Sequence, residues 1–512
     1  MTSLNVIDRL VAAFNPIAGM RRLQARQAMA FYEAAKPSRQ RKLTRGNVSP
    51  NRAVQSGAES IREQMRHYDR NYDLVAGALD TMVNNIVGPR GLGVEFQPRR
   101  ADGTIHQEYA SLLASLYEDW KRRPEVTWSH DFEHVCRLLC RTWLREGEAF
   151  AQRLIGPVNF LDHGTKVPYS VELLEPDMVP MSYNDPANGV VQGVQLDAWG
   201  RKRNYYVFKA FPGDMVGFSA LSVSGLKSIP ADRMLQVAHL TRIGQLRGVS
   251  RFASVITRIE DLKDYEESER IAAKVAAMMT AYVKRQAPDG GGYEGPMQDE
   301  DGNVIQRQIS LSPGAIIDTL AVGEEIGMID SNRPNPNLVT WRGGQLRAFA
   351  AGISASYSSL ARDYNGTYSA QRQELVECWC NYAALTDDFV GRAITPMVDD
   401  FTLAARLSGL AKPPKDVKPG TEGAFLAVAP AMPWINPLHE AAALLELTQA
   451  GFMSEIEAIR RRGANPDEVM AQIFQFREQA RAKGLLFTSD AASAAAAKAQ
   501  AQPQQDFTKG TP

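Results

Sequence analysis

Residues 250–285 read SRFASVITRIEDLKDYEESERIAAKVAAMMTAYVKR, a stretch without a single glycine or proline. Its apolar positions, Phe252, Val255, Ile256, Ile259, Leu262 and Tyr265, then Val275, Met278, Met279 and Tyr282, recur with the period of a helix. The spacing predicts one helix over 250–285, roughly 50 Å long at 1.5 Å per residue. A helix of that length outgrows the core of any one compact domain, so it needs neighbours to lie along.

On the C-terminal side, residues 286–330 hold nine acidic side chains against one basic one, Arg307, and contain strand-like runs at 304–311 and 315–320. A small acidic, β-rich module inserted between helices is expected there. Helical periodicity returns at 343–355 and at 369–407, interrupted by the polar turn Arg362, Asp363, Tyr364, Asn365, Gly366, Thr367, Tyr368, Ser369. Stretches 438–451, 454–463 and 466–484 read as a terminal helical cluster with Gly at the ends of its elements. Beyond residue 488, Ala, Gln and Lys alternate without a large apolar side chain until Phe507, so disorder is expected.

On the N-terminal side the period changes. Residues 60–87 predict an amphipathic helix or pair of helices stopped by Gly88-Pro89, and helices follow over 105–120 and 131–145, the last with Ser129 as its cap. Strands are expected at 150–155, 169–174, 190–197 and 205–208, giving an α+β domain of about 190 residues. Residues 1–50 carry nine Lys/Arg against Asp8 and Glu33, which reads as a mobile basic arm.

Composition narrows the function. The chain has 512 residues, a length that suggests about three domains. Lys plus Arg number 58 and Asp plus Glu 58, so the chain as a whole is not built for tight electrostatic binding to nucleic acid. Four cysteines, Cys136, Cys140, Cys378 and Cys380, are too few for a disulfide framework and point to a reducing compartment. No run is apolar enough to span a membrane, and a signal peptide is not expected because Asp8 and Arg9 fall inside its would-be apolar region.

Catalytic signatures are sparse. His130, Glu133 and His134 fit the His-x-x-Glu-His spacing of a zinc hydrolase, in which two histidines bind the metal and the glutamate activates water. The simpler reading is the capped first turn of an amphipathic helix, with Cys136 and Cys140 as buried small apolar residues. Ser224 and Lys227 match Ser-x-x-Lys without its companion motifs. No phosphate-binding Gly-x-x-x-x-Gly-Lys-Ser/Thr loop is present. No catalytic residue, cofactor or metal is assigned. A long helix, an acidic insert and flexible ends suit a component of an assembly.

Four stretches, in order along the chain, carry a resemblance. Val171-Glu-Leu-Leu-Glu-Pro-Asp-Met-Val179 and Gly193-Val-Gln-Leu-Asp-Ala-Trp-Gly-Arg201 resemble a strand and the strand-and-turn after it in the lambda-like portal proteins of tailed bacteriophages. Gly244-Gln-Leu-Arg-Gly-Val-Ser250 with Asp261-Leu-Lys-Asp-Tyr-Glu266 resembles that family's approach to its stem helix. Pro430-Ala-Met-Pro-Trp-Ile-Asn-Pro437, then His439-Glu-Ala-Ala-Ala443, is similar to the segment leading into its C-terminal helices. The similarity runs from about residue 50 to 487.

The resemblance implies a portal-type protomer of α+β class, mainly helical. It would have a β-containing wing (51–249), a stem helix (250–285), a small β-rich clip (286–337) and a second stem helix (338–361). A tunnel loop (362–369), a wing or tunnel helix with its return (370–436), a helical crown (437–487) and a disordered tail (488–512) would complete it. About twelve copies would form a ring at one capsid vertex, through which double-stranded DNA is packaged and ejected without sequence specificity. The implied partners are the terminase packaging motor, major capsid and scaffold proteins and a neck or head-completion protein, with assembly in the host cytoplasm. The tunnel loop, Arg362 to Tyr368, would face the DNA, and Asp299, Glu300 and Asp301 of the clip would dock the motor and neck. The rival readings are a metal-dependent hydrolase at His130, Glu133 and His134, and another head-to-tail adaptor.

Overall fold

The computed structural model describes residues 48–89, 91–212, 225–277, 281–285, 324–328, 335, 337–432, 436–462 and 464–485. The chain divides into two compact units. The smaller comprises Met1–Ala53 and Arg242–Gly244; within it the Asn51 amide donates to the Gly244 carbonyl and the Arg242 guanidinium to the Val48 carbonyl, both at 3.1 Å. The larger, Val54–Thr241 with Gln245–Pro512, holds the features described below apart from the first turn of the first helix.

Two helices, α1 (Pro50–Asn71) and α2 (Asp73–Ile86), precede strand β1 (Gly93–Phe96), and α3 (Gln107–Trp120) and α4 (Phe132–Glu146) follow. The strands β2 (Glu148–Ile155), β3 (Tyr169–Leu174), β4 (Val190–Val191), β5 (Val194–Leu196), β6 (Lys202–Phe208), β7 (Leu226–Pro230) and β8 (Met234–Ala238) come next. They build a three-stranded sheet, β3-β2-β8, and a four-stranded meander, β4-β5-β6-β7, both antiparallel. Helix α5 (Ile256–Ala277) leads to the ribbon of β9 (Ala281–Arg285) and β10 (Glu324–Met328). The helices α6 (Leu338–Ile353), α7 (Tyr357–Ala361), α8 (Tyr368–Phe389) and α9 (Thr395–Leu407) come before β11 (Phe425–Val428). Last are α10 (Pro437–Gln449), α11 (Glu455–Arg461) and α12 (Pro466–Ala482). Strand β11 returns to pair with β1, Gly93 opposite Val428, which closes a chain segment of more than three hundred residues.

The main core is aromatic. Trp120 stacks on Tyr169 at 5.3 Å and its indole N–H donates to the Tyr169 carbonyl at 2.9 Å, while Tyr117, Phe132 and Phe401 pack around it. These rings tie α3, α4, β3 and α9 together, and each such pair adds about 0.5–1.5 kcal/mol beyond area burial. Cys136 and Cys140 lie in this core, their thiols pushed up by burial, as the reading of them as small apolar residues requires.

A second centre is ionic. Arg247 and Glu148 are both fully buried. The Arg247 guanidinium places its Nη2 2.7 Å and its Nε 2.9 Å from the Glu148 carboxylate, and donates to the carbonyls of Val179 (3.0 Å), Gln192 (2.8 Å) and Pro176 (3.3 Å). All five of its N–H groups thus find acceptors. Burial alone would raise the Glu148 carboxyl; Arg247, Arg62 and the Gly248 N–H outweigh it and hold it below its ordinary value. The network continues outward: Arg62 to Asp177 at 2.6 Å, Arg66 to Asp177, Glu146 and Glu175, and Arg141 and Arg145 to Asp69. Two glycines make the approach possible. A Cβ on Gly147 (φ +90°) would sit 2.1 Å from the Val249 carbonyl carbon, and one on Gly248 would sit 2.0 Å from the Gly147 oxygen. Three of the family-like stretches, around Glu175-Pro-Asp177, Gly193 and Arg247, therefore meet at one point.

Several expectations are corrected. The helix expected over 250–285 is α5 alone, 22 residues or roughly 33 Å long. Residues 250–255 turn so that Phe252 and Val255 are buried, and 281–285 is a strand, because its backbone finds a ladder partner in 324–328 that periodicity cannot see. The cap of α4 is Asp131, not Ser129; its carboxylate accepts from the His134 N–H at 2.7 Å. The strand expected over 190–197 is a hairpin, turned by Gln192 and Gly193, both at positive φ. The second stem helix, 338–361, breaks at Ser354 (φ +56°) into α6 and α7. The strands expected at 304–311 and 315–320, most of the arm and Met278/Met279 lie outside the described residues.

Removing one partner of a buried pair leaves an uncompensated charge, so Glu148→Ala should cost about 3–5 kcal/mol in urea unfolding. Glu457→Ala, which breaks the exposed pair with Arg461 at 2.8 Å, should cost less than about 1 kcal/mol. Equal losses in the two variants would contradict the central place given to Glu148.

Candidate functional site

The polar turn at 362–369 is built by short-range chemistry. Helix α6 ends on left-handed Ser354, and the Ser356 hydroxyl then caps α7 by accepting from the Ser359 N–H at 3.1 Å. Helix α7 lasts five residues and ends on Arg362, itself left-handed at φ +53°. The sharp turn therefore falls at Arg362 rather than at Asn365-Gly366, whose φ values are not positive. Thr367 caps α8, accepting from the Ala370 N–H at 3.4 Å.

Asp363 is turned to the loop's own needs. Its carboxylate accepts from the Asn365 side chain (2.8 Å), the Asn365 N–H (3.3 Å) and the Tyr357 hydroxyl (3.2 Å), and its N–H donates to the Ser358 carbonyl (3.2 Å). The Tyr357 ring is covered by the Arg347 guanidinium at 4.8 Å. Gln371 donates to the Tyr364 carbonyl at 2.5 Å. Among the described residues no ion pair joins Arg362 to Asp363: the acid is engaged within the loop and Arg362 is exposed. Tyr364 and Tyr368 stand 56% and 59% exposed.

One residue outside the turn holds it. Glu374, on the second turn of α8, accepts from the hydroxyls of Ser356 (3.0 Å) and Ser358 (2.6 Å) and from the Ser358 N–H (3.2 Å). Burial would raise its carboxyl, but these hydrogen bonds hold it below the ordinary value. Sequence reading missed Ser356, Ser358, Gln371 and Glu374. Only the serine ahead of a short helix was a visible signal; nothing in the spacing of Glu374 announces that it reaches back across the loop.

The other candidates fall differently. His130 precedes α4 rather than lying on it, and its ring stacks on that of His134 at 4.7 Å. The two histidines are not presented one turn apart on a common helix, and among the described residues no three His, Cys, Asp or Glu side chains are placed to hold a metal ion. Asp299, Glu300 and Asp301 lie outside the described residues. The ribbon of β9 and β10, between which they fall in the sequence, pairs Arg285 with Glu324.

Residues 36–385 match the family described as phage portal protein, lambda family. The probable portal protein of Halomonas phage phiHAP-1 is 23% identical over 424 residues, covering 81% of this chain and 79% of that protein. The portal protein of Escherichia phage N15 is 23% identical over 342 residues, 61% of this chain and 64% of that one. Among solved structures, a chain from the virion of a native gene transfer agent particle superposes with a TM-score of 0.42 at 12% identity, covering 79% of this chain and 93% of that one. A chain from the neck of the empty particle gives 0.40 at 13%, covering 80% and 95%. The chain belongs to the lambda family of phage portal proteins.

Because Glu374 has a depressed carboxyl pKa in the folded loop, the stability it lends is present above its ordinary value of 4.5 and is lost as pH falls through the lower folded value. Glu374→Ala should raise amide exchange of residues 356–367 on the order of tenfold at neutral pH and remove this acid dependence. Unchanged exchange would show that the loop is held by other means.

Proposed function

We propose that about twelve copies of this portal protein close into a ring at one capsid vertex and conduct double-stranded DNA, inward during packaging and outward at ejection. The observation that supports a ring is the C-terminal cluster. Helix α10 buries no residue of its own, while Leu438, Leu445, Phe452, Met470 and Phe474 are exposed. Apolar surface of this extent on adjoining helices marks an interface. No helix of the described residues is long and apolar enough to cross a membrane.

In this reading residues 51–249 form the wing, α5 and α6 the stem, the segment around β9 and β10 the clip and α10 to α12 the crown. The exposed loop 362–368 faces the DNA. Tyr364 and Tyr368 offer flat surfaces without charge, and Arg362 gives one exposed cation per copy, enough to touch the phosphate backbone without gripping it. The acidic clip residues Asp299, Glu300 and Asp301 dock the terminase motor and then the neck protein, while the wing and crown meet capsid and scaffold proteins. The basic arm, residues 1–50, contacts an acidic partner such as DNA or scaffold. The protein acts as a conduit, and its chemistry is geometric and electrostatic rather than catalytic.

Deleting Tyr364–Thr367 tests the assignment. Ring assembly and motor binding should survive, and the length of DNA packaged or retained per capsid should fall. Normal packaged length and retention in that variant would place the loop away from the channel.

A further inference from the structure

The C-terminal helices carry a groove and a ridge of matching character. The groove, about 460 Å³, runs between α10 and α11 and is walled by Ala441, Leu444, Leu445, Ala458 and Ile459. Glu455 opens α11 and Arg462 caps it, so the groove has an acid towards one end and a base towards the other. The ridge is one face of α12, where Met470, Ile473 and Phe474 are spaced i, i+3, i+4 and stand 57%, 43% and 64% exposed. Asp467 lies one turn before them and Arg477 one turn after.

We propose that the groove between α10 and α11 takes the Met470, Ile473 and Phe474 ridge of a second copy of this chain. The inference rests on the ring reading and supplies its contact. Both surfaces run acid, apolar, base in chain order, so antiparallel docking of the incoming α12 against α11 sets Asp467 on Arg462 and Arg477 on Glu455. The charged ends are about 15 Å apart on α12 and about 10 Å apart on α11 at 1.5 Å per residue. The long arginine side chains span the difference. Parallel docking would set acid on acid and base on base, which argues against it. Groove and ridge are different patches of one molecule, so the contact is heterologous. Each copy offers its ridge to one neighbour and its groove to the other, which is the arrangement that closes into a ring.

The test uses the full chain with the two non-core cysteines removed (Cys378→Ser, Cys380→Ser). In that background Leu445→Cys copies are co-expressed with Phe474→Cys copies, and the assembled particles are oxidised. The expected result is covalent dimers on a denaturing gel, with none from either variant alone; the double variant should give a ladder of covalent multimers. Glu455→Arg should reduce the cross-linked yield several-fold and Arg477→Glu, added to it, should restore the yield. Intact rings by native mass spectrometry that give no covalent dimers would overturn the ridge-in-groove contact while leaving the ring standing. A chain that stays monomeric would overturn both.

Discussion

Everything in the β-containing half of the larger unit depends on the burial of one ion pair. Arg247 and Glu148 are removed from water together, and neither charge would be tolerated alone. The cost is met by geometry: all five guanidinium N–H groups have acceptors, and the carboxylate also accepts from the Gly248 N–H at 3.0 Å. Those acceptors belong to the 3-10 turn after β3, the hairpin turn at Gln192 and the first residue of β2. One side chain thus fixes both sheets to the segment that enters α5. The outer shell, Arg62, Arg66, Arg141 and Arg145, extends the same hold to α1 and α4.

This explains which parts of the fold were legible in the sequence. Strand β3 was readable to the residue because its limits are set locally, and the C-terminal helices were readable from the glycines at their ends; in the structure Asn436, Ser454 and Asn465 cap their starts. Long-range pairings were not readable. Residues 281–285 read as the end of a helix until a strand some forty residues away satisfies their backbone. The hairpin at Gln192 needs positive φ at a non-glycine residue, a conformation accepted in a place where the carbonyl of Gln192 is held by Arg247. The ionic centre left a trace only as separate family-like stretches, since nothing in a linear chain says that Glu148, Asp177 and Arg247 meet.

The candidate loop shows the same division. Its position between two helices and its polar, aromatic content were visible, and the structure keeps Tyr364 and Tyr368 exposed. Its internal wiring was not visible: Arg362 rather than Gly366 makes the turn, Asp363 is spent on Asn365 and Tyr357, and Glu374 clamps the loop from α8. The hydrogen bonds fix the loop's backbone, from which Tyr364 and Tyr368 project into solvent. The C-terminal helices are well capped, while Leu438, Leu445, Phe452, Met470 and Phe474 stand exposed among the described residues.

The most direct test of that account is the mass of the particle that purified protein forms at micromolar concentration, measured by native mass spectrometry with imaging of the same sample. The account predicts closed rings of about twelve copies of the 56.5 kDa chain with an open central channel. A stable monomer or dimer, or a closed particle without a channel, would contradict it.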